Sequence, residues 1–310
     1  MNFVIPAGSS ANLPKEMIKQ IVTEAVEKSV MLKLIDVRGQ MVELLNEGTL
    51  PVLGEDALDK VYRLDTTADI TALTENDFTI KTPDLAPVEM GTFMRLKVKQ
   101  LKQYPELELE TLFKTKMSRA IGRSVDYLIT NGDTTAVGAT NYLNIADGVV
   151  ALATAGAVTA VNYTTSESDD VCDAVIAAKE DLGAYGDDEY AEDLVLLASS
   201  DFAAAARKQA TKDNPAYEIA DYAPLGLKKI VFVHGIPIVV RRNITGEKAI
   251  LANMKGAFAG YYGDMMEVDM EHEAGRRDDL LVLTWYFDFK WAFLNSSSEA
   301  EGMVLIQKAS

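Results

Sequence analysis

Between Leu281 and Leu294 the chain alternates side-chain character for more than a dozen residues, with Trp285, Phe287, Phe289, Trp291 and Phe293 on one face. Side chains alternate faces with period two along a strand, so this pattern predicts a single long β-strand. Strands usually run 3–10 residues, so one this long implies an elongated sheet rather than a compact barrel. Five aromatic rings on one face must be buried. The element best able to cover them is a long amphipathic helix predicted from about 106 to 130, with Leu109, Phe113, Met117, Ala120, Ile121, Val125 and Leu128 as its apolar stripe.

Two further strands alternate in charge. Met94, Leu96 and Val98 alternate with Arg95, Lys97 and Lys99, giving a basic face. Met266, Val268 and Met270 alternate with Glu267, Asp269 and Glu271, giving an acidic one. If both strands join the long sheet, the two polar rows are expected to lie side by side and pair in charge across strands, at roughly 0.2–1 kcal/mol per pair. The alternative is two independently solvated faces.

The rest reads as mixed α and β. Asn12 to about Leu34 has helical periodicity, with Asn12 as N-cap and Pro14 in the first turn. Residues 50 to 90 are turn-rich and poor in large apolar groups, which suits a loop or an extended hairpin that packs elsewhere. Asn131-Gly132-Asp133 is expected to stop the long helix through a left-handed terminus. Ser168 to Leu182 and Ser199 to Ala210 read as helices. Leu194 to Leu197 reads as a buried strand, and Lys248 to Asn253 and Ala257 to Tyr262 read as further strands. Ile230–Val233 and Ile236–Val240 flank His234-Gly235 as a hairpin.

Composition narrows the chemistry. Only two histidines occur, His234 and His272, far apart in sequence, and no HExxH, GxSxG, GxxxxGK[ST] or GxGxxG motif is present. No catalytic residue, metal ligand or cofactor is therefore assigned, and an enzyme is not expected. Cys172 is the single cysteine and has no partner for an internal disulfide; it reads as a small core hydrophobe. The formal net charge of −17 disfavours general nucleic-acid binding, which needs a basic surface. No apolar run is long enough to span a membrane, and the N-terminus lacks the pattern of a secretory signal.

The order of elements resembles the major capsid proteins of tailed bacteriophages with the Hong Kong 97-like fold. The resemblance covers essentially the whole chain. It is carried by the long helix running into Leu128-Ile129-Thr130-Asn131-Gly132-Asp133, by Leu194 to Ala206, by His234-Gly235-Ile236-Pro237-Ile238-Val239-Val240, and by Lys248 to Gly260. It implies an α+β fold in four parts: an N-arm and helix (1–49), an extended E-loop hairpin (50–93), a peripheral domain with a spine helix and long sheet (94–134 and 263–310), and an axial α/β domain (135–262). It also implies a structural protein whose copies form pentamers and hexamers and close an icosahedral shell in the host cytoplasm. That shell would enclose double-stranded DNA without binding it specifically, with a portal and a separate scaffolding protein as partners. An encapsulin-like nanocompartment shell is the alternative of the same fold.

Overall fold

The computed structural model describes residues 10–12, 15–44, 48–49, 52–53, 80–81, 84–97, 109–135, 141–156, 158, 160–164, 171–186, 193–210, 217–262, 267–273, 278–294 and 299–309. These form two main sheets, two short strand pairs and six α-helices.

The long strand is β16, Asp278–Trp291, and it organises the first sheet. Along one edge it pairs antiparallel with β7 (Val88–Lys97) from Phe287↔Val88 to Asp278↔Lys97. Its other edge is shared by two strands in succession. β15 (Glu267–Glu273) takes the first half, and β14 (Ala257–Tyr262) takes the second. β1 (Ser10–Asn12) extends the sheet beyond β15, and β2 (Met41–Leu44) runs parallel beyond β14.

Three differences from the sequence reading have physical causes. Asn12 lies in β1 rather than capping a helix, and the expected helix from 12 to 34 is two: α1 (Lys15–Lys28) and α2 (Val30–Asp36). The break is Ser29, which is extended and whose hydroxyl accepts from Leu32 N, so it starts α2 as an N-cap. The basic strand begins at Val88, not Met94, because Met90, Thr92 and Met94 continue its inward row. The long helix, α3 (Leu109–Asn131), ends as expected near Gly132, but Gly132 is not left-handed. A Cβ there would meet the Ala146 carbonyl at 2.1 Å, so glycine serves the close passage of the 146–148 backbone. That segment leads into α4 (Val149–Ala155), within a stretch whose periodicity predicts nothing.

The second sheet runs β10 (Tyr217–Tyr222), β11 (Leu227–Val233), β12 (Ile236–Val240), β9 (Leu194–Ala198), β13 (Lys248–Asn253), β17 (Met303–Lys308), β8 (Val161–Tyr163). β9 is buried at all five positions, consistent with its unbroken apolar run. α5 (Val171–Asp181) and α6 (Ser200–Ala210) pack on one face of this sheet. Ser199 caps α6 by accepting from Phe202 N at 3.2 Å. His234 and Gly235 are both left-handed (φ 49° and 78°), the geometry that two-residue hairpin turns need. The terminal strand β17 joins this sheet through β13, rather than extending the long sheet with β15 and β16.

The other face of the second sheet contributes Val195, Leu197, Ile250 and Ala252 to a core shared with the aromatic face of β16 and with α1, α2 and α3. Only Met254–Gly256 separates β13 from β14, so the two sheets are joined by a very short link.

Candidate functional site

The aromatic row lies where its periodicity requires. Trp285, Phe287, Phe289 and Trp291 are buried, and α3 shares their core through Met117, Ile121, Val125 and Leu128. Phe293 lies past the end of β16 and is only partly buried. It packs against both hydrophobic cores, with its ring centroid 4.6 Å from Tyr185 and 6.2 Å from Trp291. Gly256 and Gly302 make room for it: a Cβ at either would approach the Phe293 ring to 2.8 Å.

The charged rows flank β16 rather than each other. Arg95 and Glu271 both stand opposite Leu280, and Lys97 stands opposite Asp278 with Glu273 on the far side. Glu267 lies level with Gly91, and Asp269 with Phe93. Strands are about 4.8 Å apart, so the rows are separated by about 9.6 Å. Arg95 and Glu267 are exposed; Lys99 lies outside the described residues. On this same face Tyr286 stands opposite Glu89, and its hydroxyl is pushed up by desolvation, then by the Glu89 and Glu267 carboxylates.

Asp288 is also on the outer face, yet it is buried. Its carboxylate accepts from Phe289 N at 2.8 Å and from Ala86 N at 3.0 Å. Ala86 follows a narrow hairpin base. β3 (Gly48–Thr49) pairs with β6 (Asp84–Leu85), and β4 (Val52–Leu53) pairs with β5 (Ile80–Lys81). Leu85 is fully buried against the sheet, over Gly260, where a Cβ would meet Leu44 and Leu85 side chains at 3.1 and 3.2 Å. Thus the chain leaves the sheet at 48–53 and returns at 80–85, pinned by Asp288. Residues 54–79 lie outside the described residues.

A second polar centre ties three elements together. Asp126 of α3 accepts from Ser29 Oγ at 2.9 Å and from Met31 N at 3.0 Å, and its other oxygen pairs with Arg241, just after β12. Arg241 is buried. Nearby, Arg38 after α2 pairs with Asp193 before β9 at 2.9 Å, and Lys255 reaches the same carboxylate at 3.2 Å. One turn before the end of α1, Glu24 accepts from Lys28 at 2.9 Å and Ser118 at 3.2 Å. The Lys28 bond is the main reason its carboxyl lies below the usual range; desolvation opposes this, and Ser118 and the Lys28 and Lys114 charges add to it.

None of these polar centres was singled out from the sequence. The available signal was a carboxylate, Asp126, set among the apolar residues of a helical stripe, and another, Asp288, inside an otherwise aromatic strand. Among the described residues no group of histidine, cysteine and carboxylate side chains could hold a metal ion. No helix among them is long and apolar enough to cross a membrane.

The described residues thus comprise an elongated sheet backed by a long helix, two short strand pairs beside it and a second, helix-covered sheet. Sequence comparison matches the phage capsid family over residues 10–294. The chain belongs to the phage capsid family. Solved capsid structures share its α+β fold. A subunit of the satellite phage P4 procapsid with its size determination (Sid) protein superposes with a TM-score of 0.59 at 13% identity, covering 94% of this chain and 99% of that one. The capsid of an empty GTA particle gives 0.59 at 14% identity, covering 100% and 95%. Microbacterium phage Oxtober96 gives 0.57 at 13%, also covering 100% and 95%. No curated protein matches this sequence.

Proposed function

We propose that this phage capsid family chain is a major capsid protein with Hong Kong 97-like organisation, whose copies form pentamers and hexamers and close an icosahedral shell around double-stranded DNA. The observation that carries this reading is the family match over 10–294, joined to a fold that spans nearly the full length of capsid subunits. The role is structural rather than catalytic, and the shell is that of a virion assembled in the host cytoplasm. In this reading 1–49 is the N-arm and 50–93 the E-loop. The peripheral domain is built on α3 and the long sheet, and 135–262 is mainly the axial domain. In our reading 257–262 would go with the peripheral unit and 303–308 with the axial one, because β14 pairs in the first sheet and β17 in the second.

The hairpin base at 48–53 and 80–85 supports an E-loop that leaves its own subunit and lies on a neighbour. Its ordering cost is then offset by burial on assembly, as for other segments that fold on binding. Charge suits this. Between Glu55 and Asp77 acids outnumber the two bases, Lys60 and Arg63, whereas α3 exposes Lys116, Arg119 and Arg123 along one side. The head-to-tail contacts of such rings are heterologous interfaces. Strong net acidity makes subunits repel at low ionic strength, and it leaves packaged DNA mobile rather than bound. A scaffolding protein and a portal complete the set of partners.

Negative-stain electron microscopy of the purified protein across a salt series tests this. Closed uniform shells, or rings of five and six that increase with salt, are expected. A protein that stays monomeric at every salt concentration, alone and when co-expressed with the scaffolding protein, overturns it.

A further inference from the structure

Strand β7 ends the long sheet on one side: among the described residues it pairs with β16 and with no other strand. It is 10 residues long, and an outer strand of that length is a ready template for pairing with another chain. Its outward row is Glu89, Gly91, Phe93 and Arg95, all exposed. Phe93 is the most exposed large apolar side chain among the described residues, at 69%. Gly91, next to it on that row, is bare backbone. A Cβ built there would find Leu283 O at 3.9 Å and nothing nearer among the described residues. On the inward row Val88 is 46% exposed.

The outward row is complementary to itself when reversed about Thr92. Set a second β7 antiparallel, with Thr92 opposite Thr92. Phe93 then falls opposite Gly91 and Arg95 opposite Glu89, and each match occurs twice. On the inward row position 94 (Met94) meets Met90, and Val88 meets position 96 (Leu96). Opposite residues of an antiparallel pair share a face, so each ring covers the gap left by a glycine, a pairing that stabilises glycines at sheet edges. A parallel pair in register would instead oppose Glu89 to Glu89 and Arg95 to Arg95, and centring on Phe93 would leave Gly91 facing Arg95. Glu89 also accepts from the Tyr286 hydroxyl, and a carboxylate has room for a guanidinium besides. Charges on a sheet edge ordinarily prevent pairing. Here their order favours one partner, the same strand turned end for end. We propose that the outer edge of β7 docks the β7 edge of a second copy, antiparallel about a twofold axis at Thr92, so that two long sheets become one. The contact is isologous, and it does not depend on the head-to-tail contacts of a ring.

The test uses the full native chain carrying Cys172→Ser and Thr92→Cys, oxidised in air with copper–phenanthroline and followed on non-reducing gels. Facing Cβ atoms lie about 4.5–5.5 Å apart in such a pair, near the span of a disulfide. A cross-linked dimer is expected. Phe93→Cys in place of Thr92→Cys should cross-link far less, because position 93 is then diagonal to its counterpart, roughly 7–8 Å away. Adding Arg95→Glu or Glu89→Arg to the Thr92→Cys chain should slow cross-linking about tenfold. Mixing those two variants should restore it, since each then carries the charge that the other lacks. Within one strand Glu89 and Arg95 are roughly 20 Å apart, so restoration can come only from contact between copies. No dimer from the native Thr92→Cys chain at any salt concentration would overturn the proposal. So would equal cross-linking at 92 and 93, or a mixture of folded variants as slow as its components. The comparison of 92 with 93 decides the matter even if a charge variant fails to fold. Closed shells that lack the cross-link would overturn this contact and leave the shell reading standing.

Discussion

Ser29 donates its side-chain hydroxyl to Asp126 across 2.9 Å, so the point where the N-terminal helix breaks is fastened to the C-terminal part of the long helix. The same carboxylate neutralises Arg241, which carries the fastening on to the second sheet. One acidic group therefore fixes the relative placement of α1, α2, α3 and the end of β12.

Removing that group should be costly. Asp126→Ala strands a buried guanidinium, and breaking a buried pair in this way costs about 3–5 kcal/mol. Arg241→Met with Asp126→Ala should recover part of the loss, since the lone charge is gone. Urea unfolding of the two single variants and the double variant measures the coupling. A double variant as unstable as the two losses summed would show that the pair does not act together.

Tyr163 predicts an alkaline weakness. Its hydroxyl is pushed up to about 12, first by desolvation and then by the Glu247 carboxylate. A tyrosine in the unfolded chain ionises near about 10. Between these values the unfolded state has lost a proton that the fold retains, so stability falls as pH rises through this window and is unaffected by this group below it. Tyr163→Phe should remove that slope. Because the hydroxyl has no hydrogen-bond partner among the described residues, the variant should be no less stable at neutral pH. Urea midpoints for both proteins at neutral pH and at about pH 11 check both statements.

Gly260 is a steric gate for the hairpin base. Gly260→Val drives carbon into Leu44 and Leu85, and overpacking of this kind costs about 1–3 kcal/mol. The strain falls where the hairpin crosses the sheet, so proteolysis at 80–85 should accelerate more than proteolysis elsewhere. A variant with wild-type digestion kinetics would sink this account.

The charged rows of the long sheet make a further prediction. Lys97→Glu sets a carboxylate opposite Asp278, and Arg95→Glu sets one level with Glu271 across Leu280. Reversing Arg95, Lys97 and Lys99 together should lower the melting temperature and impair assembly, more at low salt than at high, since each cross-strand pair contributes roughly 0.2–1 kcal/mol. Unchanged melting and assembly would mean the rows are merely solvated.

The sequence makes the individual elements of this fold legible where a local rule governs them. The β16 alternation, the fully apolar β9 and the His234-Gly235 turn each follow from short-range geometry. What it leaves hidden is set by distant partners. Ser29 sits in an unbroken helical pattern; its hydroxyl caps α2 locally, but Asp126, which receives that hydroxyl and Met31 N, lies far along the chain. Gly132 looks like a helix terminator, but its reason for being glycine is the Ala146 carbonyl. The basic and acidic rows leave open whether their two strands share a sheet, and give no sign that a third strand runs between them. Cys172 reads as an ordinary core residue until the hairpin brings His234 to it.

The three-residue link at Met254–Gly256 has a mechanical consequence. β13 and β14 belong to different sheets, and Ala292 N donates to Gly256 O at 2.7 Å, tying the link to the far end of β16. Tension drawn along one sheet therefore reaches the other through covalent backbone braced by hydrogen bonds, with Phe293 wedged at the corner. Tightly packed interiors transmit strain rather than absorb it. A subunit joined in this way turns as one stiff plate. In the shell proposed above, outward pressure would then be taken up at the seams between neighbours.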